Sequence, residues 1–294
     1  MCYTGKYMLS LLASWQLNLV LYVVCTVAFF QFYKRAIRGS KRDGAATVAV
    51  ELAAGITVLL LVPFFRIQFP TDMRSWLLLA VAGIFYALND RLQVTARRNL
   101  QVSVFSVVDQ LSVVFLVIYS FTIFHEPFSG ARALGAACII FGNSVLFLRK
   151  NGFSFNKYVF LVALARLAFA TAVSIDIGLS RSFNLPLYIA LTIFIPAVLL
   201  VTFERIRFSA IKEELTGPVR AHFTMAGVLF GLSVFFSLRA FQAASSISLI
   251  APLQATVVLF SVLVSYFLLK EEDGKIRKII ASLLTILGVY FTTR

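Results

Sequence analysis

Seven ionisable side chains, Glu51, Asp90, Arg91, Asp109, Arg166, Asp176 and Arg239, stand inside the long apolar runs of this 294-residue sequence. A charge retained in hydrocarbon costs about 2.5–3.5 kcal/mol on insertion scales, so each must pair or face water, and each is a candidate for contact with a polar solute. In one run Tyr86, Asn89, Asp90 and Gln93 recur at i, i+3, i+4 and i+7, which sets all four on one face of a helix. The next run adds Ser103, Ser106, Asp109 and Gln110 in a similar stripe. The two runs are joined by a very short connection around Arg97 and Arg98, so their stripes can face a common water-filled space. At about 1.5 Å of rise per residue, Glu51, Asp90, Arg91, Asp109 and Arg166 fall within about 5–15 Å of one membrane face. Arg91 and Glu51 lie near helix ends, where snorkelling to the interface is expected.

Asp176 and Arg239 fall towards the opposite face. A salt bridge between them would close that end of a cavity while the other end is open, and the competing reading is a permanent structural bridge. Ser245, Ser246 and Ser248, followed by Pro252 and Gln254, add hydrogen-bonding groups near the middle of the membrane. The seven charges comprise four carboxylates and three arginines, which leaves one carboxylate over as a group able to take up and release a proton. Asp109 is that candidate, because it lies deeper than Glu51 and has no adjacent arginine as Asp90 has. The competing readings are that Arg166 holds Asp109 as a permanent ion pair, and that the charges only staple helices together. The two histidines, His125 and His222, sit at helix ends, and no metal-ligand spacing, glycine-rich phosphate loop or nucleophile motif is visible. The expected site therefore binds and releases a solute, without cofactor or metal.

The elements that position these residues follow from composition. The chain is 60% apolar and 14% charged, against about 45–50% and about 25% in soluble domains, so its solvent is lipid. The net charge of +14 is gathered in short segments between apolar runs, which is a topogenic pattern and not a nucleic-acid surface. Cys2, Cys25 and Cys138 form no disulfide framework. Ten runs long enough to cross a bilayer can be placed near 8–31, 47–65, 75–96, 101–124, 132–149, 157–180, 184–203, 221–242, 246–269 and 276–292. The first is too long for the core of a signal peptide and reads as a membrane helix. The expected fold is all-α and integral to the membrane.

The chain also repeats. A shift of 145 residues lays Ser103–Arg132 on Ser248–Arg277, with Asp109 on Gln254, His125-Glu126 on Lys270-Glu271 and Arg132 on Arg277. Two five-helix repeats, 1–150 and 151–294, follow. Because five is odd, the second enters the membrane from the other face, which makes the repeats inverted. Each repeat carries a charged boundary before its last helix. The first is Phe124-His125-Glu126-Pro127-Phe128-Ser129, followed by Gly135 and Gly142, and the second is Leu269-Lys270-Glu271-Glu272-Asp273, followed by Gly288. With Pro252 in Ala251-Pro252-Leu253, this pattern resembles the EamA-type unit of the drug/metabolite transporter superfamily, although Val107 stands where the first repeat would carry its proline. The resemblance implies a ten-helix secondary transporter, with helices 1–4 and 6–9 around a central cavity.

The expected function is alternating-access transport of a small polar or amphipathic metabolite, with export of an amino acid or related compound as the first choice. A nucleotide-sugar exchanger, a membrane-embedded enzyme and a non-transporting scaffold are the alternatives. The substrate pathway is assigned to Tyr86, Asn89, Asp90, Gln93, Asp109, Gln110, Arg166 and Gln254, with Asp109 for proton coupling and Asp176 with Arg239 as gate. The expected partners are the substrate, the lipid bilayer and protons, with the protein a monomer or homodimer in a bacterial cytoplasmic membrane. Of the 27 Lys and Arg residues, 18 fall in odd-numbered connections and six on the other face. The positive-inside rule puts the odd connections in the cytoplasm and both termini outside, whereas the resemblance implies the reverse.

Overall fold

The computed structural model describes residues 14–38, 43–100, 102–147, 157–269 and 275–294. Within them the chain forms thirteen α-helices and one 3-10 turn at Val62–Phe64, and no strand. In chain order these are α1 (Trp15–Arg38), α2 (Asp43–Leu59), α3 (Met73–Asn99), α4 (Val102–Asp109), α5 (Leu111–Thr122), α6 (Gly130–Phe147) and α7 (Lys157–Leu179). They continue with α8 (Leu185–Phe203), α9 (Phe208–Thr216), α10 (Arg220–Ala244), α11 (Ile247–Gln254), α12 (Val257–Leu269) and α13 (Lys275–Thr292). Cys2, Lys6, Lys41, Arg42, Arg149, Lys150 and the second charged boundary from Lys270 to Asp273 lie outside the described residues, as do the side chains of Arg97, Arg98, Ser103 and Ser106.

Five segments are long and apolar enough to cross a membrane by length and composition: Trp15–Ile37, Gly44–Phe64, Lys157–Leu179, Leu185–Phe203 and Arg220–Ala244. For two of the five expected spans outside this set, the difference is a break in the helix. The runs read as single helices at 101–124 and 246–269 are each broken, into α4 and α5 and into α11 and α12. In the second run Pro252 stands inside α11, N-terminal to the break. The backbone there tightens, with Ala255 N–H on the Pro252 carbonyl at 3.1 Å and Thr256 N–H on that of Leu253 at 3.2 Å. The first run breaks at Gln110 without a proline, where Ser112 Oγ donates to the Asp109 carbonyl at 2.9 Å. The short helix α9, in a connection read as a loop, buries Ile211 and Glu214.

The 145-residue shift reappears in the element bounds. Adding 145 to 102–109 and 130–147, the bounds of α4 and α6, gives 247–254 and 275–292, the bounds of α11 and α13. Adding it to Gln110, where the first run breaks, gives Ala255, where the second does.

The chain divides into two compact units, each drawing on both sequence repeats: 1–87 with 175–243, and 88–174 with 244–294. The expected boundary near residue 150 concerns sequence repeats, whereas these units are defined by packing. In the first unit α2 packs on α8, its counterpart under the shift. Gly44 meets Glu204 while Gly55 meets Phe194, so the two helices run antiparallel. Helix α10 approaches α2 through Gly227 and Gly231, one turn apart. A Cβ on Gly231 would stand 2.7 Å from the Ala54 carbonyl oxygen, and one on Gly227 would stand 2.9 Å from that of Val50. Small residues at such a crossing let backbones touch, which substitutes for the hydrophobic drive that lipid removes. In the second unit α6 packs along α13, again its counterpart. Gly135 faces Gly288 and Thr292 while Gly142 faces Ala281, so this pair is antiparallel too.

Candidate functional site

Seven of the eight expected pathway residues lie in the second unit, and five of them form one network. Helix α3 supplies Asn89, Asp90 and Gln93, α4 ends on Asp109, and α7 carries Arg166. Arg166 donates to Asn89 Oδ1 at 2.6 Å and forms an ion pair with Asp109 Oδ1 at 3.2 Å. Its guanidinium lies over the Phe169 ring, 5.2 Å from the centroid. Gln93 donates to the same Asn89 oxygen at 3.0 Å, and the Asn89 amide donates to Asp90 Oδ1 at 2.9 Å. The network orients Asn89 with its oxygen towards the arginine. Arg166 is buried, at 7% side-chain exposure, whereas Asp109 retains 32%. The result is one buried cation beside one accessible carboxylate, an arrangement that can exchange its internal pair for the two charges of a zwitterion.

The other calls fall into two groups. Gln110 is buried and accepts at Oε1 from Asn143 Nδ2 at 3.1 Å, and Asn143 Nδ2 also donates to the Ala255 carbonyl at 2.9 Å. One side chain on α6 therefore joins the two helix breaks. Gln254, at the second break, is half-buried. Tyr86, which shares the sequence face of Asn89, belongs to the first unit: its hydroxyl donates to Asp176 Oδ2 at 2.6 Å, and Tyr188 donates to Asp176 Oδ1 at 2.7 Å. Asp176 is buried at 2% exposure.

Three expectations change accordingly. Asp176 and Arg239 are not brought together, because two phenols occupy the carboxylate while Arg239 Nη1 donates to Gln242 Oε1 at 3.4 Å. Asp109, expected to be the carboxylate left over, is held by Arg166. Glu51, expected to snorkel, is buried at 6%, whereas Arg91 is exposed.

Sequence reading missed Asn143, Tyr188 and Phe169, and it missed what the first charged boundary does. The Glu126 carboxylate accepts from the backbone N–H groups of Ile247 and Ser248 and from the hydroxyls of Ser246 and Ser248. Arg132 donates to the same two hydroxyls at 3.1 and 3.3 Å. Glu126 thus caps the start of α11, satisfying N–H groups that a helix leaves open at its first turn. The repeated serines supply the signal that could have found this cap.

Helices long and apolar enough to span a bilayer define an integral membrane protein. The model of the EamA-like transporter family matches residues 10–148, the first repeat, in accord with membership of the drug/metabolite transporter superfamily. Comparison with curated proteins found no significant match. Among solved structures, one crystal structure of a protein superposes with a TM-score of 0.76 at 14% identity, covering 95% of this chain and 96% of that one. At that identity the likeness establishes the fold.

Proposed function

We propose that the chain is a secondary transporter of two inverted five-helix repeats, moving a small zwitterionic metabolite such as an amino acid by alternating access. The observation that carries the reading is the Arg166–Asp109 pair at 3.2 Å, buried on its cationic side and accessible on its anionic side. A substrate carboxylate replaces Asp109 on Arg166, and its ammonium group takes the freed Asp109. Neither protein charge is then left alone in a low-dielectric site, where an unpaired charge is costly. The inverted arrangement is supported by the coincident bounds of α4 with α11 and of α6 with α13, and by antiparallel packing of α2 on α8 and α6 on α13. Helices broken in mid-run, as α4–α5 and α11–α12 are, accord with a transporter whose solute site lies at discontinuous helices. Proton coupling at Asp109 acts on release: a proton arriving there neutralises the carboxylate and removes the charge that holds the substrate ammonium group.

The test is a melting-temperature screen of purified protein against amino acids and related zwitterions, followed by uptake and efflux in proteoliposomes. A binding substrate raises the melting temperature through linkage. Arg166→Ala and Asp109→Asn are expected to abolish that rise while the ligand-free variants still fold. Wild-type affinity in both variants overturns the site, and transport indifferent to an imposed pH gradient overturns the coupling.

A further inference from the structure

A separate cavity of about 300 Å3 lies wholly in the first unit, at the lower end of the size range of small-molecule pockets. Three of its lining residues are arginines from three different segments: Arg66 in the connection after α2, Arg181 in the turn after α7, and Arg239 in α10. None of the residues that line it is acidic. Arg66 and Arg181 are exposed and Arg239 is half-buried, so the charge is graded from the mouth inward.

The three segments are braced from within. Asn184 donates through Nδ2 to the carbonyls of Phe65 and Arg66 at 3.3 and 3.0 Å, and its backbone N–H donates to the Gln68 carbonyl at 2.8 Å. Its Oδ1 meanwhile accepts from Leu187 N–H at 3.0 Å and so caps α8. One asparagine therefore fixes the Arg66 segment against the start of α8. Gln242 fixes the other two: its backbone carbonyl accepts from Arg181 at 3.0 Å, and its side-chain oxygen from Arg239. Three guanidinium groups that line one cavity give an anion placed among them a favourable Coulomb energy. The N-terminal end of α8, whose Leu185 also lines the cavity, adds a favourable field of the same sign.

We propose that this cavity binds an oxyanion, a carboxylate or phosphate, carried by a small organic acid or by a lipid headgroup. Guanidinium groups match both oxyanions with paired N–H donors, and no acidic wall opposes them. The site stands on binding alone and is independent of whether the Arg166 region transports.

The full-length protein, purified in a neutral detergent and stripped of lipid, is melted against sodium phosphate and against sodium succinate, with ionic strength held constant by sodium chloride. A saturable rise in melting temperature is expected with at least one of them if the carrier is a free acid. Arg66→Gln and Arg181→Gln alter exposed side chains, and each is expected to raise the half-saturating concentration about tenfold, the loss of one strong charged contact. Arg74→Gln removes an exposed cation that does not line the cavity and is expected to change nothing. A parallel arm compares nanodiscs of phosphatidylcholine with and without phosphatidylglycerol. Stabilisation by phosphatidylglycerol alone, lost in Arg66→Gln, assigns the oxyanion to the headgroup. Melting indifferent to phosphate, succinate and phosphatidylglycerol overturns the site, as does an equal response in Arg66→Gln, Arg181→Gln and Arg74→Gln.

Discussion

Tyr86 and Asn89 stand one helical turn apart in sequence, yet one hydroxyl reaches Asp176 and the other side chain reaches Arg166. Periodicity finds the polar face of α3 but not the partner of each residue on it, because partners come from α7, far along the chain. The same limit explains why Asp109 reads as unpaired: its arginine is separated from it by two helices. At Asp176 the expected gate has to compete with two phenol hydrogen bonds, each worth about 1.5–3 kcal/mol to a charged acceptor. An Asp176–Arg239 bridge would require a second conformation, in which the tyrosines let go. Exchanging the charges in Asp176→Arg with Arg239→Asp is expected to recover transport lost in each single variant. If the double variant is folded and inserted yet inactive, the gate is removed and Asp176 is an acceptor that ties α3 to α8 through Tyr86 and Tyr188.

Among the elements, helix existence was readable from apolar run length. The two breaks were not, although Pro252 marks one of them, because an apolar run looks the same whether or not its backbone is continuous. Asn143 was invisible as a functional residue for a related reason. Its acceptor, the Ala255 carbonyl, sits in a tightened turn that exists only once α11 has ended. Asn143 is fully buried and holds both breaks through Nδ2. Asn143→Leu keeps the volume but leaves the Gln110 and Ala255 oxygens without this donor, at an expected loss of about 1–3 kcal/mol for each buried acceptor. A clear drop in melting temperature is the expected reading, whereas Asn99→Leu, on an exposed side chain at the end of α3, should shift it little. Equal melting of the two variants would show that the breaks are held by the backbone alone.

For the molecule as a whole, orientation is read from the charge count across the two faces. Six cations were assigned to the even-connection face: Lys6, Arg66, Arg74, Arg132, Arg181 and Arg294. Arg66 and Arg181 line the oxyanion cavity, and Arg132 binds the serines that start α11. Local contacts are not confined to that face, since Lys157, one of the 18, lies over the Tyr158 ring. The expectation of odd connections in the cytoplasm therefore rests on the count of 18 against six, and the family resemblance implies the reverse. Single cysteines placed in a background lacking Cys2, Cys25 and Cys138 test this directly. Thr71 lies exposed in the connection between α2 and α3, and Ser209 lies exposed in α9, on the opposite face of a ten-span chain. In intact cells Thr71→Cys is expected to react with an impermeant thiol reagent, while Ser209→Cys reacts only after the membrane is opened. The reverse pattern would place the arginine-lined cavity on the cytoplasmic side, where any oxyanion it binds must come from the cell interior or the inner leaflet.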